Sequence, residues 1–202
     1  MTHWLDTIAR LAALGDSLAA RAPVPPLSEH IQCPDDCGRC CSFPNIDVSV
    51  AECLPTAMAV LSGPSPAATV ARIEEFAMRV SEKLPCPLFL KISKTDGRCT
   101  YYRDRPILCR IYGVTTRKMP KDVSCQSKGH VSLVGCDLLK ESLDASGGGG
   151  TATPLAKNIT DGLATLPDFE SILAEVAAIN PQLGTVRMPI AKALHSALKL
   201  LT

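Results

Sequence analysis

The sequence predicts a small α+β protein in which helices surround a short β-hairpin and cysteine-rich metal-binding loops, with a helical C-terminal segment. Three observations lead to this prediction. Four of the 10 cysteines fall within the turn-rich motif C-P-D-D-C-G-R-C-C at 33–41. Apolar residues recur at helical spacing on both sides of this region. A turn signal between two short apolar runs, over 86–102, is typical of a hairpin.

The composition predicts a core of aliphatic side chains, because 46% of the 202 residues are hydrophobic and only 4% are aromatic. A chain of this length buries such a core without disulfides, so the cysteines need another explanation. The net charge of +1 provides no overall attraction to nucleic acid or to an anionic membrane. Charged residues interrupt the apolar pattern of residues 1–21, which predicts neither a signal peptide nor a membrane span. We therefore expect a cytoplasmic location, where reduced thiols favour metal ligation over disulfides.

Capping signals define the predicted helices. Thr2 caps a first helix, expected to pack on its own core rather than on another chain. Ser49 and Glu52 fit a capping box, and Pro55 is expected either inside that helix or at its true first turn. The predicted helices cover 2–20, 49–61, 66–84, 106–112, 131–140, 167–179 and 189–201, with a basic loop over 114–125. We expect a helix and proline-rich linker over 1–30, the metal-binding domain over 31–145, a glycine-rich linker over 146–150 and a helical segment over 151–202.

Eight cysteines lie in turn or strand contexts and are the candidate metal ligands. Cys40 and Cys41 are neighbours, and neighbouring side chains usually point in different directions. If both are ligands, two centres or one polynuclear centre are easier to build than a single tetrahedral ion. Cys53 and Cys136 lie in helical apolar patterns and are interpreted as buried, inert thiols. The candidate ligands are Cys33, Cys37, Cys40, Cys41, Cys86, Cys99, Cys109 and Cys125.

Two metals suit such a set, since both zinc sites and iron–sulfur clusters take four thiolates. The adjacent ligands favour an iron–sulfur cluster slightly over Zn2+. Residues 98–128 hold eight basic and two acidic residues, an excess of six positive charges. Arg105 and Arg110 flank Cys109 and would offset the negative charge of thiolates. A solvated basic face is the alternative, and nucleic-acid binding is disfavoured because no fold motif for it is present.

Taken together, the motifs resemble the YkgJ-type cysteine cluster family, also described as the CxxCxxCC or zinc/iron-chelating domain. The matching stretches are C-P-D-D-C-G-R-C-C at 33–41, C-P-L-F-L at 86–90, C-T-Y-Y at 99–102, R-P-I-L-C-R-I-Y at 105–112, and Cys125. The first gap departs from the family name, because three residues separate Cys33 from Cys37. The resemblance implies metal binding by these cysteines, and a related domain occurs in flagellin lysine N-methylase.

Three functional interpretations stay open at this point. The first is redox or cofactor-dependent modification of a macromolecule, with a protein partner or substrate. The second is a structural zinc module that binds a partner without chemistry of its own. The third is metal storage or delivery, which needs an exposed and labile site.

Overall fold

The structure is a computed structural model that describes residues 2–20, 38–42, 46–82, 84–93, 97–112, 115–118, 131–134 and 166–202. The chain divides into two compact units. The first comprises 1–17, 35–110 and 174–202, and the second comprises 18–34 and 111–173. The domain boundaries predicted above, including the glycine-rich linker over 146–150, stay predictions.

The architecture is α+β, as predicted. The helices are α1 (Thr2–Ala20), α2 (Val50–Leu61), α3 (Pro66–Met78), α4 (Ile107–Ile111), α5 (Phe169–Ile179), α6 (Pro181–Gly184) and α7 (Ile190–Leu201). The strands form three antiparallel pairs, β1 (Asp47–Ser49) with β6 (Arg187–Pro189), β2 (Phe89–Lys91) with β3 (Gly97–Cys99), and β4 (Thr115–Lys118) with β5 (Val131–Val134). No helix in the described part of the chain is both long and apolar enough to cross a bilayer.

Helix α2 is the centre of the first unit. The predicted capping box is confirmed, because the Ser49 side chain accepts from the amide of Glu52 and the Glu52 carboxylate accepts from the amide of Ser49. Pro55 lies inside the helix, so the alternative that it marks the first turn is wrong. Proline removes only one helical hydrogen bond, and the burial of most of α2 outweighs that loss.

Helix α3 is shorter than predicted. It ends at Met78 rather than near Leu84, and a 3-10 turn over Val80–Glu82 follows. The Arg79 guanidinium bonds the carboxylates of Glu75 and Glu82, which favours a bend at this position. Only part of the predicted apolar face is buried, at Ile73 and Ala77.

The hairpin and the short helix after it are confirmed. Phe89 pairs with Cys99 and Lys91 with Gly97, on either side of the predicted turn. Helix α4 follows Pro106, as expected for a proline that precedes a helix start.

In the second unit, two predictions of secondary structure are wrong. Residues 115–118 were expected in a basic loop and residues 131–134 in a helix, but the structure pairs them as β4 and β5. Thr115 and Thr116 are β-branched, and V-S-L-V at 131–134 alternates apolar and polar residues, so both stretches suit strands. The amide of Thr116 donates to the carbonyl of Pro167, which extends the pairing.

The C-terminal helices form part of the core. Helix α5 begins at Phe169 rather than at Pro167, because the Asp168 carboxylate accepts from the amide of Ser171 and caps it. Helix α7 begins at Ile190, as the position of Pro189 predicted, and packs against α2 and α3. The pairing of β6 with β1 was not predicted.

Candidate metal centre

The thiols Cys40 and Cys41 lie in a 3-10 turn over Arg39–Ser42 that is attached to the hairpin. The amide of Gly38 donates to the carbonyl of Gly97 at 3.0 Å, and the amide of Cys41 donates to the carbonyl of Gly38 at 2.9 Å. A Cβ atom at Gly38 would lie 2.8 Å from the Cα atom of Arg98. Glycine is therefore required for the turn to approach the hairpin this closely.

Two other segments of the chain, which carry Cys86 and Cys99, lie beside the turn that contains Cys40 and Cys41. The amide of Cys86 donates a 2.9 Å hydrogen bond to the carbonyl of Cys41. Phe89 then donates from its amide to the carbonyl of Cys86 at 3.0 Å, which turns the chain into β2. Since Phe89 pairs with Cys99 in the hairpin, the backbone brings three cysteine-bearing segments together.

The thiol of Cys41 is at the centre of this group, because its three neighbours Cys40, Cys86 and Cys99 have the largest effects on its pKa. The pKa of Cys40 is lowered to about 7, chiefly by the Cys41 thiol and further by the charge of Arg105. The Cys41 thiol also lowers the pKa of Cys99, while the neighbouring thiols of Cys40, Cys86 and Cys99, together with burial, raise the pKa of Cys41 itself far above its ordinary value. Each of the adjacent thiols Cys40 and Cys41 has the largest effect on the pKa of the other, and the expectation that their side chains point in different directions stays a prediction.

Two further thiols are buried behind this group. Cys109 in α4 is 6% exposed and Cys53 in α2 is fully buried. Burial raises the pKa of each, the carboxylate of Glu52 raises that of Cys53 further, and the neighbouring Cys40 raises that of Cys109 further. None of the six described cysteines is in a disulfide.

The charge of Arg105 acts on two of the thiols. Its charge lowers the pKa of both Cys40 and Cys99, after the larger effect of the Cys41 hydrogen bond. The guanidinium lies over the ring of Tyr102, 3.6 Å from its centroid. Its Nε atom is buried and has no hydrogen-bond partner among the described residues.

Arg110 has a different location from the one predicted for a neighbour of thiolates. Its guanidinium donates to the backbone carbonyls of Arg103 and Arg105 and pairs with Asp16 of α1 at 3.3 Å. Thr56 of α2 donates its hydroxyl to the carbonyl of Asp104. Three successive carbonyl groups are thus fixed by side chains, which orients the backbone that carries Arg105.

Glu52 connects the thiol-bearing segments to the core, a role that sequence reasoning missed. Its carboxylate is fully buried and accepts from the amide of Leu108, at 3.1 Å, at the start of α4. It also pairs with Arg187 of β6 at 3.0 Å. The capping box identified Glu52, but neither the Leu108 nor the Arg187 contact leaves a signal in the sequence.

The described thiols do not by themselves form a complete metal site. Among the described residues, no group of three or more His, Cys, Asp or Glu side chains is arranged to hold a metal ion. Three predicted ligands, Cys33, Cys37 and Cys125, lie outside the described residues. Of the eight candidates, the structure brings together Cys40, Cys41, Cys86 and Cys99, with Cys109 close by.

These features define a small α+β protein with a buried cluster of free cysteines. Residues 32–126 match the model of the CxxCxxCC family, whose description is "Putative zinc- or iron-chelating domain". This match covers slightly less than half of the chain and confirms the family resemblance inferred from its motifs. A search of the curated proteins and a search of the solved structures found no significant match.

Proposed function

We propose that this protein binds a metal centre through cysteine thiolates and that the centre is the site of its activity. One observation carries the proposal. Backbone hydrogen bonds and hairpin pairing bring together Cys40 and Cys41 of the turn, Cys86 of the segment before β2 and Cys99 of β3, and these neighbours shift the pKa of the Cys41 thiol. Soft thiolates gathered from separate segments are the ligand set that zinc and iron–sulfur centres use.

The donor set fits such a centre in chemistry and in charge. The four cysteines Cys40, Cys41, Cys86 and Cys99 supply only sulfur ligands. Arg105 adds a cation whose buried Nε atom has no hydrogen-bond partner among the described residues. Negative charge on bound thiolates or on inorganic sulfide would satisfy that atom. Cys33, Cys37, Cys109 and Cys125 would complete the ligand set.

An iron–sulfur cluster is the first candidate. One zinc ion accepts four ligands, whereas five candidate thiols already lie in one neighbourhood before the three outside the described residues are added. A polynuclear centre uses more thiolates than a single ion and tolerates ligands from adjacent residues. When bound, the cluster would supply one-electron chemistry.

Zinc is the second candidate, and a specific observation favours it. Backbone hydrogen bonds and hairpin pairing bring together the segments of four cysteines, Cys40, Cys41, Cys86 and Cys99, and four is the number of thiolates that one tetrahedral zinc ion takes.

We further propose a role in redox or cofactor-dependent modification of a macromolecule. Structural zinc sites are closed, whereas centres that perform chemistry keep access for a reactant. Cys99 lines a cleft of about 330 Å³, which supports access to the centre from solvent. A structural zinc module with no activity is the alternative.

Purification without oxygen, followed by metal and sulfide analysis, tests the proposal. A brown protein with broad visible absorption, iron and acid-labile sulfide supports the iron–sulfur cluster. A colourless protein with one or two tightly held zinc ions supports the zinc site. Protein that is folded and contains less than about 0.1 equivalent of either metal contradicts both.

A further inference from the structure

The cleft beside the cysteine cluster has features of a binding site in its own right. It is lined by residues 98–104 and has a volume of about 330 Å³, which is at the lower end of the range for small-molecule sites. Cys99 forms part of its wall, so a ligand held here would lie next to the proposed centre.

Among the described residues that line the cleft, positive charge exceeds negative charge. Arg98 and Arg103 line it and are exposed, and neither guanidinium makes an ion pair or hydrogen bond within the described part of the chain. Asp104 is the only acidic residue in this wall. Other exposed arginines are neutralised, as Arg79 is by two carboxylates, so unpaired arginines are not general on this surface.

Arg98 and Arg103 are not the cations that balance the negative charge of the thiols. Arg105 is the cation that acts on Cys40 and Cys99, and neither Arg98 nor Arg103 is among the charges that most affect them. Within the described ranges, Arg105 is therefore the cation that acts on these thiols, and Arg98 and Arg103 can contact a ligand in the cleft.

The wall that carries Arg103 is held in place. Arg110 fixes the carbonyls of Arg103 and Arg105, and Thr56 fixes the carbonyl of Asp104. A wall fixed by these contacts loses little conformational entropy when a ligand binds.

A second hollow of about 340 Å³ adjoins the cleft and shares Thr100 and Tyr101 with it. Pro64, Ala68 and Pro87 give it apolar walls. A ligand that crosses Tyr101 would place a charged group between the arginines and an apolar group in this hollow.

We propose that the cleft binds the oxyanion group, phosphate or carboxylate, of a ligand whose apolar part occupies the adjoining hollow. Guanidinium groups form charge-assisted hydrogen bonds to both oxyanions. The inference rests on the proposed function only for the ligand's role as a reactant at the metal centre, and its binding does not depend on which metal is present.

Titration of the metal-loaded full chain with phenyl phosphate and with benzoate tests the proposal. The two probes share a ring and differ in the oxyanion, so they separate phosphate from carboxylate recognition. We expect at least one to bind saturably and to bind roughly tenfold more weakly to Arg98→Gln/Arg103→Gln, because two charge-assisted contacts are lost. The matched control Lys91→Gln/Lys192→Gln removes two exposed charges outside the cleft and should change binding less than about twofold.

Three outcomes overturn the proposal. The first is that neither probe saturates below about 10 mM. The second is that the control variant weakens binding as much as the arginine variant does. The third is that the arginine variant loses its metal together with its probe binding. Metal analysis of the same samples separates the two proposals. If protein purified without oxygen holds no metal but binds a probe, this inference stands and the proposed metal centre is contradicted. If the protein holds metal but binds neither probe, the metal centre stands and this inference is contradicted.

Discussion

The amide of Cys86 donates a 2.9 Å hydrogen bond to the carbonyl of Cys41, joining two cysteines that are far apart in the sequence. Backbone hydrogen bonding therefore brings the two cysteines together without the help of a metal ion. The thiols of Cys40, Cys86 and Cys99 have the largest effects on the pKa of Cys41. The protein thus holds its candidate ligands close together by backbone geometry, which lowers the entropic cost of binding a metal.

Cys109→Ser is expected to lower the metal content, because we assign Cys109 to the ligand set. Cys53→Ser is the matched control, since both thiols are buried and both variants bury a hydroxyl group. We expect the control to retain its metal. Metal analysis of the two purified variants provides the measurement. Equal losses of metal would contradict the assignment of Cys109 as a ligand and of Cys53 as a core residue.

Gly38→Ala is expected to reduce bound metal to less than about half, because the added Cβ atom would meet backbone atoms of Gly97 and Arg98 at 2.8 Å. The turn must then move away from the hairpin and carry Cys40 and Cys41 with it. In the control Gly63→Ala, the nearest atom is the Tyr101 hydroxyl at 2.8 Å, at the end of a side chain that can rotate. Comparable metal contents in the two variants would count against the close approach of turn and hairpin.

Glu52→Gln is expected to lower the free energy of unfolding by about 2 kcal/mol, because it leaves Arg187 without its charged partner. Arg187→Met should cost about 3 kcal/mol, since it leaves a fully buried carboxylate unpaired. Urea unfolding of both single variants and the double variant gives the coupling energy, which we expect to be about 1–2 kcal/mol. A coupling near zero would mean that the two side chains act independently.

Arg110→Lys should loosen the segment that carries Arg105. A single ammonium group cannot hold the carbonyls of Arg103 and Arg105 as the guanidinium fork does. We expect faster amide hydrogen exchange over 103–105, and no change there in the control Arg79→Lys, whose ion pairs lie elsewhere. Unchanged exchange in Arg110→Lys would show that other contacts hold this segment.

Local signals in the sequence predicted much of the fold. The capping box at Ser49 and Glu52, the turn before Gly97 and the prolines at helix starts each act through neighbouring residues, so one sequence reveals them. Strand β5 was missed because V-S-L-V at 131–134 is too short to distinguish strand from helix by periodicity. The pairing of β6 with β1 was missed because nothing in either strand identifies a partner about 140 residues away.

The candidate site was predictable in its residue types but not in its geometry. Spacing identified the cysteines and placed Cys53 in a helix. It could not reveal that Cys40 and Cys41 have the largest effects on each other's pKa, because that depends on the 3-10 turn. Nor could it assign Arg105 to the thiols and Arg110 to the backbone, since both lie close to Cys109 along the chain and carry the same charge.

X-ray absorption at the metal edge tests the central claim most directly, because it counts the atoms bound to the metal. We predict sulfur as the only class of nearest neighbour in the wild-type protein, at about 2.3 Å. In Cys41→Ser, we predict that less metal is bound and that one sulfur neighbour is replaced. Nearest neighbours that are mainly nitrogen or oxygen in the wild-type protein would contradict a centre built from these thiolates.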